Sequence, residues 1–188
     1  MAGEQRFIDG GDMAANPQSF GQGKQISSAL LPEFEHEMQT TRRTLERLPE
    51  DKLTWKPHEK STTLGGLALH LATINHWAEA VMGSDSFDVS TAPQNPPPKS
   101  RAEILEAFEK NAASAHKILE SATDAEMMKP WALKAGGHTI FSMPRAVVFR
   151  SFILNHHIHH RGQFSVYLRL NNVPVPSIYG PSADESNF

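Results

Sequence analysis

Asn155-His156-His157-Ile158-His159-His160-Arg161-Gly162-Gln163 is the stretch on which the reading of this chain turns. It holds four of the ten histidines within five positions. His156 and His160 are four residues apart, so on an α-helix they stand one turn apart on the same face. Two imidazoles so placed can grip one transition metal. The helical pattern around them starts near Pro144 and runs to about Leu170, where Asn171-Asn172 and Pro174 end it. On a wheel of about 100° per residue, Phe149, Phe152, His156, His160, Gln163, Tyr167 and Leu170 share a stripe. Its aromatic and apolar members predict that this stripe faces the core, with both histidines pointing inward. His157 and Arg161 fall toward one edge and His159 on the other flank. His157 and His159 read as supporting or surface groups, and the pair His156/His159 stays open as an alternative grip.

Three more segments carry helical spacing. One runs from about Leu30 to Leu48, with Pro32 in its first turn and Pro49 at its end. The next runs from about Thr62 to Met82, with Gly83 as its stop. Thr63, Leu67, His70, Ile74, Trp77 and Val81 share its face, so His70 is the histidine expected to meet His156 and His160. A connection from Ser84 to Lys99, with Pro93, Pro96, Pro97 and Pro98, is too proline-dense for helix. The following helix opens on Ser100-Arg101-Ala102-Glu103, the spacing of a capping box. Ile104, Leu105, Phe108, Ala112, Ala115 and Leu119 then recur at helical intervals. Between Thr123 and Met143 the pattern is irregular, and Trp131-Ala132-Leu133 and His138-Thr139-Ile140-Phe141 flank Gly136-Gly137 as a short hairpin would. The tail from Val173 to Phe188 reads as extended. Four helices of similar length with little strand signal predict an all-α four-helix bundle with long connections.

The 188 residues, 39% hydrophobic and 21% charged, fit one soluble domain with length left for tails. Residues 1–25 read as an N-terminal arm, with Phe7, Ile8 and Phe20 as its natural anchors, and 26–188 as the domain. A net charge of −3 gives no basic footprint for nucleic acid and no basic stripe for a membrane surface. No run is long and apolar enough for a membrane span, and the N-terminus lacks the apolar core of a signal peptide. The expected setting is the cytoplasm. With no cysteine there is no disulfide, no thiolate ligand and no cysteine nucleophile.

Neutral imidazole suits zinc, nickel, iron or copper. Three protein ligands, His70, His156 and His160, would leave coordination positions open, as catalytic sites do. His36, His58, His116 and His138 lie in polar helix faces or loops and read as solvated. Glu33, Glu35 and Glu37 recur every second residue, which does not match the Glu-x-x-His pattern of di-iron bundles. There is no glycine-rich phosphate loop, GxSxG elbow or HExxH motif, and Ser142, Ser151 and Ser165 have no triad around them.

Leu67-Ala68-Leu69-His70-Leu71-Ala72, then His156 through Gln163, Val166-Tyr167-Leu168-Arg169, Val173-Pro174-Val175-Pro176 and Tyr179-Gly180-Pro181-Ser182 resemble the DinB/YfiT-like superfamily. The likeness covers roughly Leu30 to Ser182. It implies a bundle of up-down-down-up order, a three-histidine divalent-metal site on His70, His156 and His160, and frequently a homodimer. It also implies a metal-dependent transferase that activates a low-molecular-weight thiol cosubstrate, as bacillithiol- and mycothiol-dependent relatives do, acting on a small-molecule substrate. The metal is expected to be Zn, Ni or Fe, with Gln163, His159 and Arg161 supporting the ligands. No catalytic residue beyond the ligands is singled out. A metal-dependent hydrolase would need a carboxylate base that the sequence does not place near the histidines. A non-catalytic metal-binding bundle of the stress response is the reading from another class.

Overall fold

The structure is a computed structural model that describes residues 23–92 and 96–186. Its elements are α1 (Gln25–Leu45), α2 (Leu64–Thr73), α3 (Trp77–Gly83), β1 (Ser86–Asp88), α4 (Arg101–Ser121), α5 (Asp124–Met127), β2 (Pro130–Ala135), β3 (His138–Pro144), α6 (Arg145–Val148) and α7 (Asn155–Leu170). A 3-10 turn, Ile74–His76, joins α2 to α3, and a π-helical turn, Phe149–Leu154, joins α6 to α7. The four long helical stretches expected from periodicity are therefore present, two of them with an internal irregularity. Helix α1 lies beside α4, α4 beside α2, and α7 against both α2 and α1. Phe34, Leu45, Leu67, Leu71, Ile104, Phe108, Phe149, Phe164 and Leu168 fill the space between them with almost no exposure.

Helix α1 begins at Gln25, well before the expected Leu30, and carries Pro32 in its interior rather than in its first turn. The cause is non-local. The Asp124 carboxylate accepts from Gln25 N at 3.1 Å and Ile26 N at 2.8 Å, supplying from α5 the cap that Lys24 cannot. Ser27 Oγ donates to the Ala122 carbonyl at 2.9 Å and ties the same turn down. At α4 the Ser100 hydroxyl accepts from Glu103 N at 3.1 Å as expected, but Glu103 Oε2 accepts from Lys99 N, so the box closes one residue early.

The chain is helix-rich but not all-α: a three-stranded sheet of order β1-β2-β3 departs from the expected fold class. The hairpin around Gly136-Gly137 is β2 and β3, antiparallel with a bulge at Leu133/Lys134. Both glycines have positive φ, 57° and 81°, which a two-residue hairpin turn of this hand needs. Strand β1 pairs in parallel with β2 from inside the connection from Ser84 to Lys99, which reads as too proline-dense for helix. Asp88 pins it, accepting from Gly136 N at 3.0 Å and Gly137 N at 2.7 Å. A three-residue strand held by a partner some 45 residues away leaves no local pattern.

The tail is not extended. It folds back along α1 and α7, with Ser182 Oγ donating to the Val175 carbonyl and Asp184 accepting from Val175 N. Glu185 pairs with Arg43 at 2.8 Å and Arg47 at 2.7 Å, and Asp184 pairs with Arg169. Phe7, Ile8 and Phe20, the expected anchors of the arm, lie outside the described residues. No helix among the described residues is long and apolar enough to cross a membrane.

Candidate metal centre

Two helices present the three histidines. Helix α2 is fixed at its start by a full set of acceptors for its free amides. Leu64 N donates to the Trp55 carbonyl (2.7 Å), Gly65 N to the Leu53 carbonyl (2.9 Å) and Gly66 N to Thr63 Oγ1 (3.1 Å). Leu64, Leu67, Ala68, Leu71 and Ala72 bury one side of it, and His70 stands half-buried beside that side.

Helix α7 corrects the expected wheel. Its buried residues are His157, Arg161, Phe164 and Leu168, while His156, His160 and Tyr167 are half-buried and Gln163 and Leu170 exposed. The triad stripe is thus the rim of the core, and the residues read as its edge are the core face. The π turn explains the error. It holds one residue more than an α turn, so everything after it is rotated by about 100° relative to a continuous helix. Fully buried Phe149, which an unbroken wheel aligns with His156, is thereby brought into line with His157.

At the rim the three imidazoles converge. His70 Nε2 and His156 Nε2 are 3.1 Å apart. Ring centroids are separated by 4.5 Å for His70–His160, 4.7 Å for His156–His160 and 5.0 Å for His70–His156. One nitrogen from each lies within 4.8 Å of the others, so the group could hold a metal ion. Two imidazoles sharing an ion at ~2.1 Å have nitrogens ~3.0–3.4 Å apart for coordination angles of roughly 90–110°; the His70–His156 pair already meets that spacing.

The electrostatics suit a ligand set. Burial lowers the pKa of His70, and the neighbouring His160 lowers it further. Burial pushes His156 down to about 4, with His70 and His160 adding to the effect. Burial also lowers His160. All three are neutral at pH 7, the form that offers a lone pair. His160 Nδ1 lies 2.7 Å from Gln163 Oε1, so the proton sits on Nδ1 and leaves Nε2 bare. His156 Nδ1 is buried and makes no hydrogen bond among the described residues.

Of the expected supporting residues, Gln163 touches a triad member directly. His159 stacks edge-on against His160, with centroids 4.8 Å apart. Arg161 does not turn toward the triad. It is 1% exposed and its Nη1 lies 2.6 Å from Glu37 Oε2, charge-paired but off the hydrogen-bond axis. Nη1 donates instead to the Glu37 carbonyl (3.1 Å) and Thr41 Oγ1 (3.3 Å), and Nη2 to Tyr179 Oη (2.7 Å). Tyr179 donates on to Glu37 Oε1 at 2.7 Å. This buried network escapes a charge-based reading of the sequence. The available signal was Glu37 on the stripe of Phe34, Met38, Thr41 and Leu45, where an unpaired carboxylate would not be buried.

His157 is fully buried rather than peripheral. It stacks on Phe108 with centroids 6.0 Å apart, and burial together with Arg161 pushes it down to about 3. His58 accepts from Lys60 N, His116 faces Glu35 at 2.8 Å, and His36 and His138 are exposed. Among the described residues none of these joins the triad. On the α2 side a cleft of about 310 Å³ opens beside His70, lined also by Thr63, Gly66, Leu69 and the run Pro96-Pro97-Pro98. On the other side Phe152 contacts the His156 ring, and Trp77 and Phe141 meet Phe152.

Comparison with known proteins agrees with the fold. The Bacillus subtilis (strain 168) protein YrdA is 25% identical over 156 residues, 83% of this chain and 89% of its own length. A DinB-like protein from Bacillus cereus ATCC 10987 superposes with a TM-score of 0.66 at 24% identity, covering 81% of this chain and 97% of its own. The DinB-like protein YjoA from Bacillus subtilis gives 0.64 at 17% identity, covering 85% and 99%. These two solved structures share the fold. The DinB family model matches residues 21–187, nearly the whole sequence, and the chain belongs to the DinB family.

Proposed function

We propose that His70, His156 and His160 hold one divalent transition-metal ion, zinc, nickel or iron, and that the chain is a metal-dependent transferase acting on a small molecule. The observation that carries this reading is the convergence of three neutral, half-buried imidazoles with two Nε2 atoms 3.1 Å apart. Three protein ligands leave room for an exogenous one. A bound divalent ion supplies acidification of a coordinated thiol, making thiolate available at neutral pH. The chain has no cysteine, so that thiol belongs to a low-molecular-weight cosubstrate. Gln163 holds His160 in its ligating tautomer, and the Phe152 ring packs against His156. A four-helix bundle of up-down-down-up order, a homodimer and a cytoplasmic setting complete the reading and rest on the family resemblance. Light scattering at about twice the 20.8 kDa chain mass tests the dimer.

The decisive experiment is elemental analysis of purified wild type and His70→Ala, followed by a screen of low-molecular-weight thiols against model electrophiles. Wild type should carry about one ion per chain, and the variant none. One equivalent bound to the variant at wild-type affinity refutes the ligand assignment. A loaded protein inert toward every thiol and electrophile favours the non-catalytic metal-binding bundle. No carboxylate joins the triad among the described residues, so the hydrolase reading has no base to support it.

A further inference from the structure

The cleft beside His70 is walled on one side by α2 and on the other by Pro96-Pro97-Pro98, the end of the connection that helical periodicity leaves unexplained. Its chemistry is one-sided. Proline has no N–H, so the run contributes apolar rings to the wall and no donor. The start of α2, which would ordinarily offer amides to an anion, is saturated: Leu64, Gly65 and Gly66 donate to Trp55, Leu53 and Thr63. Thr63 and His70 are the polar side chains of the lining, Leu69 adds an apolar one, and no Lys or Arg side chain lines it among the described residues. The wall is held in place, because Lys99 N donates to Glu103 and Ser100 caps α4 directly after it. Arg101 N, one residue further, donates to Glu50 at 3.1 Å.

We infer that this cleft receives the uncharged, apolar body of the substrate and rejects anions, with the proline run as its selecting wall. The inference deepens the metal-centre reading, since the bound molecule would present its reacting group to the triad. An aliphatic or aromatic group packs on proline rings and Leu69, gaining burial without needing a donor. A carboxylate or phosphate lodged against the proline run would lose its hydration there, with no Lys or Arg side chain beside it among the described residues. At about 310 Å³ the cleft is at the small end of the sites that take small molecules.

The test has two arms on the full chain. In the metal-free protein, amide spectra are followed while benzamide or benzoate is added. Benzamide should shift Gly66, Leu69 and His70, and benzoate should not. Pro97→Gly, at an exposed position, and Leu69→Glu should each weaken the benzamide response. In the cobalt-loaded protein, 4-phenylimidazole should bind at least about tenfold more tightly than imidazole, and Pro97→Gly should narrow that ratio without changing imidazole affinity. Benzoate binding as tightly as benzamide at these residues overturns the inference, and so does equal affinity for the two imidazoles. Failure to take up cobalt would refute the metal reading instead, and the metal-free arm would still decide the character of the cleft.

Discussion

Replacing Arg161 by methionine should destabilise the metal-free protein by about 3–5 kcal/mol, the usual cost of removing one partner of a buried ion pair. Arg161 and Glu37 side chains are 1% and 6% exposed, so neither charge has water to fall back on. The substitution strips the Glu37 carboxylate of its counter-charge and leaves it one donor, Tyr179 Oη. It also removes the Arg161 donors to the Glu37 carbonyl and Thr41 Oγ1, and takes away the cation over the Tyr179 ring, 5.2 Å from its centroid. Each buried group left unpaired costs about 1–3 kcal/mol alone; the sum falls short of simple addition because the tail carrying Tyr179 can relax. Urea denaturation at neutral pH, with an unchanged slope, reads the effect.

The double variant Arg161→Met with Glu37→Met should recover most of that loss, because an apolar pair of similar volume has no stranded charge. Arg161→Lys should fall between, keeping the charge but losing the planar fork. Metal affinity of the single variant, measured below its unfolding transition, should stay near wild type. A stability loss under ~1 kcal/mol, or strict additivity in the double variant, would show that the network is not energetically coupled. A large drop in metal affinity with stability intact would return Arg161 to the role its neighbourhood in sequence suggested.

Asp124→Ala should cost about 1–2 kcal/mol through lost capping, and hydrogen exchange should show the first turn of α1 fraying; unchanged protection at Gln25 and Ile26 would refute the distant cap. Gln163→Leu should lower metal affinity about 10–100-fold with little change in stability, and undiminished affinity would make Gln163 a bystander. The folded tail should release in acid. Arg169 holds the Asp184 carboxyl below its usual range, and the Ser177 amide with Arg43 and Arg47 does the same for Glu185. Because both folded values are depressed, their contribution is complete above the ordinary carboxylate pKa of about 4 and is lost as pH falls through the folded values. The Val175 and Ser177 amide resonances should then move to unstructured positions while helix signals persist. Resonances unmoved until the helices themselves unfold would refute the acid release.

The sequence carried the helices well because their apolar residues repeat at the period of their own backbone: Ile104, Phe108, Ala112, Ala115 and Leu119 are all buried as the spacing requires. It carried the hairpin because Gly136-Gly137 marks its turn locally. It could not carry β1 or the early start of α1, since each is held by a partner far along the chain, the Gly136-Gly137 turn and Asp124. Nor could it carry the folded tail, whose prolines forbid helix but do not reveal that Asp184 and Glu185 meet three arginines. The triad was legible because His156 and His160 keep their mutual spacing wherever the helix faces. Which side of α7 faces the core was not legible, because that depends on one extra residue in the π turn.

That extra residue also accounts for where the histidines stand. Were α6 and α7 one continuous helix, the stripe of His156 and His160 would follow Phe149 into the core, and Arg161 with His157 would turn toward the edge. Three imidazoles in a closed apolar core would bring no exogenous molecule within reach, and a guanidinium at the edge would leave Glu37 buried without its partner. The π turn resolves both conflicts in one step. It keeps Phe149, Ile153 and Leu154 in the core, rotates Arg161 onto Glu37, and lifts His156 and His160 to the rim, where they meet His70 at the mouth of the cleft. A π turn forfeits regular i→i−4 hydrogen bonding, a local cost that recurs in helices at functional sites. Here that cost is offset by the ion pair satisfied in the interior, and the turn leaves at the rim three imidazoles that could hold a metal ion.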